Sequence, residues 1–138
     1  MKAFILEEHG KAHFGEKPYP TCDEYGAIIK AIAVTPCTSD VSNTFKMTNP
    51  QSIGKTLGHE AIGEVVEVGS GVRDFKPGDR VLVPSITPDY MFTYDHQVLP
   101  SGQHAGGMLN GYKYTSEIEG VFSEYFNVIQ ADQNLALI

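Results

Sequence analysis

One cysteine and one histidine carry the clearest chemistry in this sequence. Cys37 lies in the stretch PCTSDV, and His59 lies in LGHEAIGEVVEVG. A thiolate and a neutral imidazole are ligands that zinc prefers, and a catalytic zinc takes three protein ligands and leaves one position open. Glu60 is the obvious third candidate. The alternative for Cys37 is an ordinary buried cysteine, which is the commoner situation for this residue type.

The backbone before His59 decides whether Glu60 can share a metal with it. Neighbouring residues of an extended chain point to opposite faces, so both side chains reach one ion only if the chain bends. Gly58 allows such a bend because glycine has no Cβ. The other cysteine and histidines have no partner at metal-ligand spacing and are interpreted as turn, surface or lobe residues. These are Cys22, His9, His13, His96 and His104.

The elements that must position these residues are predicted to be strands and one short helix. Pro36 ends a strand, and the residues after it open a helix that Thr38, Ser39 or Asp40 can cap. The segment 85–119 is far longer than most connections and is predicted to form a functional lobe or pocket wall. Strands are predicted over residues 1–7, 24–35, 60–69, 81–83 and 120–129. The fold class is therefore mostly β with short helices.

Composition excludes several classes of protein. The chain has 138 residues, 41% of them hydrophobic, which fits one domain without a membrane-spanning run. Its formal net charge of -7 disfavours nucleic acid as a partner. Two cysteines are too few for a disulfide scaffold, and the opening MKAFILEEHG is a poor signal peptide, so a cytoplasmic location is expected. The glycine clusters GSGVRD and GKT lack the spacing of nucleotide-binding loops.

A longer motif resembles a known family. The run GHEAIGEVVEVGSGV, residues 58–72, resembles the zinc-containing alcohol dehydrogenase signature. The order of PCTSD, GHE, FKPGDRV, PSITPDY and GVFSEYF resembles the NADP-preferring secondary-alcohol branch of the medium-chain dehydrogenases. This resemblance implies that residues 1–138 form a GroES-like barrel carrying the catalytic zinc. It also implies that the Rossmann cofactor domain of full-length members is absent from this chain.

The resemblance also implies roles for individual residues. Cys37 and His59 correspond to zinc ligands, with Glu60 as a further or intermittent ligand and an aspartate beyond this sequence as another. Ser39 carries the proton-relay hydroxyl, and a second relay position, often histidine in this branch, falls at Ser42. Tyr112 corresponds to the large aromatic residue, usually tryptophan, that lines the substrate pocket.

The function that follows from the resemblance is NADP(H)-dependent interconversion of small secondary alcohols and ketones or aldehydes. Zinc would act as a Lewis acid on the substrate oxygen while hydride moves to or from the nicotinamide. The isolated chain is expected to be inactive, and the full-length form to be a homo-oligomer, a tetramer in the family. Two alternatives remain: a non-catalytic GroES-like binding module, and a fragment of a zinc-free quinone or enone reductase. The presence of both Cys37 and the Gly-His-Glu run argues against the second.

Overall fold

The computed structural model describes residues 1–46, 50–85, 114–115 and 118–138, and these residues are mostly β. The strands are β1 (Lys2–Glu8), β2 (Lys11–Glu16), β3 (Ala27–Val34), β4 (Ala61–Val68), β5 (Arg80–Val83), β6 (Tyr125–Val128) and β7 (Ala136–Leu137). The helices are α1 (Thr38–Lys46), a 3₁₀ turn (Pro50–Ser52) and α2 (Ala131–Asn134). The predicted fold class, mostly β with short helices, is confirmed. No helix within these ranges is long and apolar enough to cross a bilayer.

Five strands form one antiparallel sheet, in the order β6, β3, β4, β5, β7. The central pair joins β3 to β4, running from Ala27 opposite Val68 to Val34 opposite Ala61. Alternate residues of β4 are buried, as expected for a strand with one face against the core. The core contains Ile29, Val65, Val81, Tyr114, Val121, Phe126 and Val128. This sheet fixes the two chain segments that lead to Cys37 and His59, because β3 ends just before one and β4 begins just after the other.

A second, two-stranded sheet pairs β1 with β2. The sequence analysis predicted β1 but not β2. The turn between the strands contains Gly10, whose φ of 76° lies in the region that favours glycine. Single bridges from Ala3 to Ser123 and from Ile5 to Thr56 attach β1 to the rest of the molecule. The hairpin therefore packs next to the chain segment that precedes His59.

Helix α1 begins where the sequence predicted a helix, but its first turn is capped differently from the expectation. Cys37 is the N-cap, and its Sγ accepts a hydrogen bond from the Ser39 backbone N–H at 3.3 Å. The Asp40 carboxylate reaches back and accepts the Cys37 N–H at 2.9 Å. This reciprocal arrangement resembles a capping box, except that the N-cap side chain accepts the N–H of the second helical residue, Ser39, and not of the third. It fixes Cys37 at the start of the helix.

Candidate metal centre

The structure brings His59 next to Cys37 and Ser39, although His59 lies on a different segment of the chain. Cys37 Sγ is 3.1 Å from His59 Nε2. The Ser39 hydroxyl oxygen lies 2.8 Å from Cys37 Sγ and 3.3 Å from His59 Nε2. A thiol, an imidazole nitrogen and a hydroxyl therefore meet at the N-terminus of α1.

Asp40 holds the opposite side of the His59 ring. Its Oδ1 lies 3.3 Å from His59 Nδ1, and both side chains are almost fully buried. The same carboxylate accepts hydrogen bonds from the backbone N–H groups of Cys37, at 2.9 Å, and Gly58, at 3.2 Å. The sequence analysis treated Asp40 as a helix cap only. It is a cap, but it also connects the Cys37 segment to the His59 segment and orients the imidazole.

Two residues of this cluster, Cys37 and His59, are better placed to bind one zinc ion than all three residues are. Ligand atoms of Cys37, Asp40 and His59 all lie within 4.8 Å of one another. Asp40, however, lies on the Nδ1 side of the imidazole, whereas Cys37 lies on the Nε2 side. A carboxylate on the far nitrogen is the usual support for a histidine that ligates a metal. The geometry therefore favours Sγ of Cys37 and Nε2 of His59 as metal donors, with Asp40 orienting the ring.

Neighbouring groups shift the pKa values of all three residues. The hydrogen bond with the Ser39 hydroxyl lowers the pKa of the Cys37 thiol, and His59 adds to this effect against the opposing influence of burial. Burial raises the pKa of Asp40, but its hydrogen bonds to His59 and to the Cys37 N–H outweigh burial and hold it below its usual value. Burial lowers the pKa of His59, but its interactions with Asp40 and Cys37 together outweigh burial and hold it above its usual value. The thiolate form of Cys37, the form that binds a metal, is thus favoured relative to that of an ordinary cysteine.

Hydrogen bonds hold the main chain at Gly58, the residue before His59. Gly58 has a φ of 92°, so the bend that the sequence analysis allowed there is present. Its N–H is bound by Asp40, and its carbonyl accepts hydrogen bonds from the Val121 N–H at 3.1 Å and the Thr115 hydroxyl at 3.4 Å. These contacts come from two distant parts of the chain, one at Asp40 and the other at Thr115 and Val121. They fix the point from which the His59 side chain leaves the backbone.

The remaining candidates lie apart from this cluster. Glu60 is half-buried and lines a groove with Ala33, Ile62 and Leu82, and it is not among the residues that cluster around His59 in the described ranges. Its role as a metal ligand stays a prediction. Ser42 is half-buried on α1. Tyr112, His96 and His104 lie outside the described residues.

The other thiol and the two hairpin histidines lie elsewhere and make local contacts. Cys22 Sγ lies 3.6 Å from the Asp23 carbonyl and 3.5 Å from the Gly26 carbonyl. His13 lies 3.4 Å from a Glu7 carboxylate oxygen, and His9 contacts the Phe45 carbonyl. These positions agree with the sequence interpretation of turn and surface residues.

Comparison with known proteins shows which families and proteins this chain is similar to. Residues 23–137 match the model of the alcohol dehydrogenase GroES-like domain. An NADP-dependent isopropanol dehydrogenase from Thermoanaerobacter brockii is 48% identical over 136 residues, covering 99% of this chain and 38% of that protein. A protein of the same name from Clostridium beijerinckii is 46% identical over 138 residues, covering 100% of this chain and 39% of that protein.

Solved structures show the same fold. Zinc dependent alcohol dehydrogenase 2 from Streptococcus pneumonia, in its apo form, superposes with a TM-score of 0.78 at 28% identity. The match covers 99% of this chain and 38% of that one. The chain therefore spans well under half the length of the relatives that it matches. The likeness confirms the GroES-like fold that the motifs implied.

Proposed function

Because this chain belongs to the alcohol dehydrogenase GroES-like domain family, we propose that it is the catalytic, zinc-binding domain of an alcohol dehydrogenase. The observation that carries the proposal is the approach of Cys37 Sγ to His59 Nε2, 3.1 Å apart, with Asp40 on the far side of the ring. The two relatives named NADP-dependent isopropanol dehydrogenase support small secondary alcohols and their ketones as substrates, and NADP(H) as the hydride carrier. Small aldehydes belong to the same carbonyl class.

In this proposal Cys37 and His59 hold the zinc, and Glu60 serves as a further ligand. The donor set fits, because it offers a thiol whose pKa is lowered and an imidazole whose second nitrogen is engaged by a carboxylate. A zinc ion bound there would supply Lewis-acid polarisation of the alcohol or carbonyl oxygen. A remaining protein ligand is proposed to come from a part of the protein beyond these 138 residues.

Ser39 is proposed to move the proton of the substrate alcohol. Its side chain is exposed, while its hydroxyl lies 2.8 Å from Cys37 Sγ and 3.3 Å from His59 Nε2. A hydroxyl both donates and accepts a hydrogen bond, so it could take the proton of a substrate alcohol and pass its own proton to water. Ser42, one helical turn further along α1, is proposed as the next member of this route, and Tyr112 as part of the substrate pocket.

The whole enzyme is proposed to contain more than this domain. Residues 1–138 would form the catalytic unit, and the nicotinamide would be held by a separate dinucleotide-binding unit of the full-length protein. By this account the 138-residue chain alone binds metal and transfers no hydride. The active form is proposed to be a cytoplasmic homo-oligomer.

A chimaera tests the proposed function. The chain would be joined to the part of the Thermoanaerobacter brockii dehydrogenase that follows the segment matched here. The purified protein would then be assayed for propan-2-ol oxidation with NADP. We expect activity from the chimaera and none from the 138-residue chain. In the chimaera, Ser39→Ala should lower kcat on the order of 100-fold because the proton loses its relay, whereas Ser70→Ala, an exposed serine outside the cluster, should leave it unchanged.

A negative result in the chimaera has a defined meaning. If the chimaera is folded, binds zinc and NADP, and moves no hydride with any small alcohol or ketone, the dehydrogenase proposal fails. A non-catalytic binding domain would then be the better account. The intact Thermoanaerobacter brockii enzyme, prepared in the same way, shows that the assay itself works.

A further inference from the structure

We propose that Phe122 is a positioning residue for the metal site, an inference that rests on the proposed function. Phe122 lies far from Cys37 and His59 in the sequence and has no group that could bind a metal. Its half-buried ring nevertheless lies directly against Gly58, the residue before His59.

The Phe122 ring fills the space beside Gly58 in which a side chain would otherwise lie. A Cβ placed on Gly58 would lie 2.2 Å from Cδ1, 2.4 Å from Cε1 and 2.6 Å from Cγ of Phe122. One edge of the ring therefore occupies the space that any side chain at position 58 would need. The ring packs against the Gly58 backbone and keeps it from rotating toward that space.

Backbone hydrogen bonds hold Phe122 itself in this place. Its N–H donates to the Leu57 carbonyl at 2.9 Å, and its carbonyl accepts the Phe4 N–H at 2.8 Å. The neighbouring Val121 N–H donates to the Gly58 carbonyl at 3.1 Å. The main chain at 121–122 thus fixes the carbonyls of residues 57 and 58, while the ring covers the Gly58 Cα.

The same ring borders the segment that leads to Cys37. Two neighbouring apolar grooves are each lined by Phe122, Phe4 and Pro36, and the second also by Asp40. Pro36 directly precedes Cys37, as Gly58 directly precedes His59. Phe122 therefore lies where the backbones that lead to the two proposed metal donors come together.

The consequence concerns how well the two donors are prepared for a metal. Glycine can adopt many backbone conformations, so removing the ring takes away the packing restraint on the Gly58 dihedral angles and leaves only the hydrogen bonds to hold them. His59 would then sample several directions relative to Cys37 Sγ, and metal binding would have to order it. Outer contacts that orient metal ligands typically change metal affinity by about 10 to 100-fold. We expect a loss of metal affinity toward the lower end of that range, because Asp40 still restrains the imidazole ring of His59.

Cobalt(II) titration of the 138-residue chain tests this role, with Co²⁺ as the probe. The sulfur-to-cobalt charge-transfer band reports the Cys37 ligand, and the visible bands report coordination geometry. Phe122→Leu, which removes the flat ring edge, should raise the Co²⁺ dissociation constant about 10-fold and alter the visible bands. Phe122→Tyr keeps the edge that touches Gly58 and should bind as the wild type does.

The matched control separates positioning from stability. Phe126→Leu removes a ring that is 2% exposed and belongs to the hydrophobic core. It should lower the urea midpoint at least as much as Phe122→Leu does, yet leave the Co²⁺ dissociation constant within twofold of the wild-type value. All titrations would be run where urea unfolding shows each variant to be folded.

The outcomes distinguish this inference from the proposed function. If the wild-type chain binds no Co²⁺ through Cys37, the proposed zinc site itself fails. If the wild type binds and Phe122→Leu binds equally well, Phe122 has no positioning role. Equal weakening by Phe122→Leu and Phe126→Leu would also overturn it, because affinity would then follow stability alone.

Discussion

The two sides of the candidate metal centre differ in how deeply the protein buries them. His59 is 2% exposed, its Nδ1 contacts Asp40, and the backbone of Gly58 before it is hydrogen-bonded at both polar groups. Cys37 and Ser39 lie at the open N-terminus of α1, where Ser39 is exposed. Both candidate donors are held by hydrogen bonds, but His59 lies in the interior whereas Cys37 lies on the accessible side.

This difference matches what the proposed chemistry requires. A fixed imidazole defines where the metal lies, whereas substrate and protons must reach the metal from the open side. The start of a helix also favours a negatively charged sulfur, because unpaired N–H groups and the helix dipole point toward it. Placing the thiol there and the imidazole in the interior lets one small site be both ordered and reachable.

The largest expected effect, on metal affinity, comes from replacing Cys37 on the open side of the site. Cys37→Ser should weaken Zn²⁺ binding by at least about 1,000-fold, or about 4 kcal/mol, because the soft thiolate is lost. Competition with a chromophoric chelator measures this change. Cys22→Ser is the control and should leave binding unchanged, since Cys22 Sγ contacts only backbone carbonyls among the contacts seen. Equal losses from the two substitutions would contradict the assignment.

On the buried side, substituting Gly58 is expected to lower the stability of the fold. Gly58→Ala and Gly78→Ala make a matched pair, because their φ angles are 92° and 94°, but only Gly58 is covered by a ring. A Cβ at Gly78 meets nothing within 4 Å. We expect Gly78→Ala to lower the free energy of unfolding by about 1 kcal/mol and Gly58→Ala by about 2–4 kcal/mol, through strain plus overpacking.

Urea unfolding of the two glycine variants checks this second prediction. The difference between them isolates the packing against Phe122, since the backbone strain is shared. Equal losses would mean that the ring moves aside without cost, and the buried side would then be no more rigid than the open one.

The pH dependence of stability in the metal-free chain tests the role of Asp40. The pKa of Asp40 is lowered on folding, so its pairing stabilises the fold above about pH 3.9 and is lost as pH falls through the folded value. The pKa of His59 is raised, so its pairing is fully present below about pH 6.5 and is lost as pH rises through the folded value. The pair should therefore stabilise the fold most between about pH 4 and 6.5.

Asp40→Asn measures that contribution. In the presence of chelator, wild type should exceed the variant in unfolding free energy by up to about 2 kcal/mol at pH 5.5, and by less at pH 8.5. A difference that grows with pH would show that the Asp40 and His59 pair is not the interaction being removed.

The smallest expected effect concerns Ser39 in the isolated chain. Because this side chain is exposed, Ser39→Ala should change the free energy of unfolding by less than about 0.5 kcal/mol. If Ser39 acts only in proton transfer, Ser39→Ala should lower kcat strongly in the chimaera. The same substitution should leave the stability of the isolated chain almost unchanged. A stability loss above about 1 kcal/mol would instead indicate a structural cap.

Local patterns predicted the elements that fix both donors, but not every element. Strands β3 and β4 follow from alternation, and the start of α1 follows from Pro36 and the small polar residues after it, although Cys37 is the N-cap and not one of those residues. Strand β2 was missed because KAHFGE is mostly exposed, with one glycine and several polar residues, and its pairing with β1 supplies the order that the sequence pattern lacks.

The sequence indicated that Cys37 and His59 lie together, but not which contacts support them. Cys37 and His59 were identifiable from residue type and from the family motif. The contact of Asp40 with His59 and the packing of Phe122 on Gly58 join segments far apart in sequence. No spacing within one segment encodes such contacts. An aspartate three residues after the cysteine was the available signal for the first, and it was interpreted as a cap alone.

Zinc K-edge X-ray absorption of the metal-loaded chain tests the central claim most directly, because it reports the atoms bound to the ion. The account predicts one sulfur at about 2.3 Å with nitrogen and oxygen donors at about 2.0–2.2 Å, and the loss of the sulfur shell in Cys37→Ser. Zinc bound with no sulfur in the wild type, or a sulfur shell that survives Cys37→Ser, would contradict it.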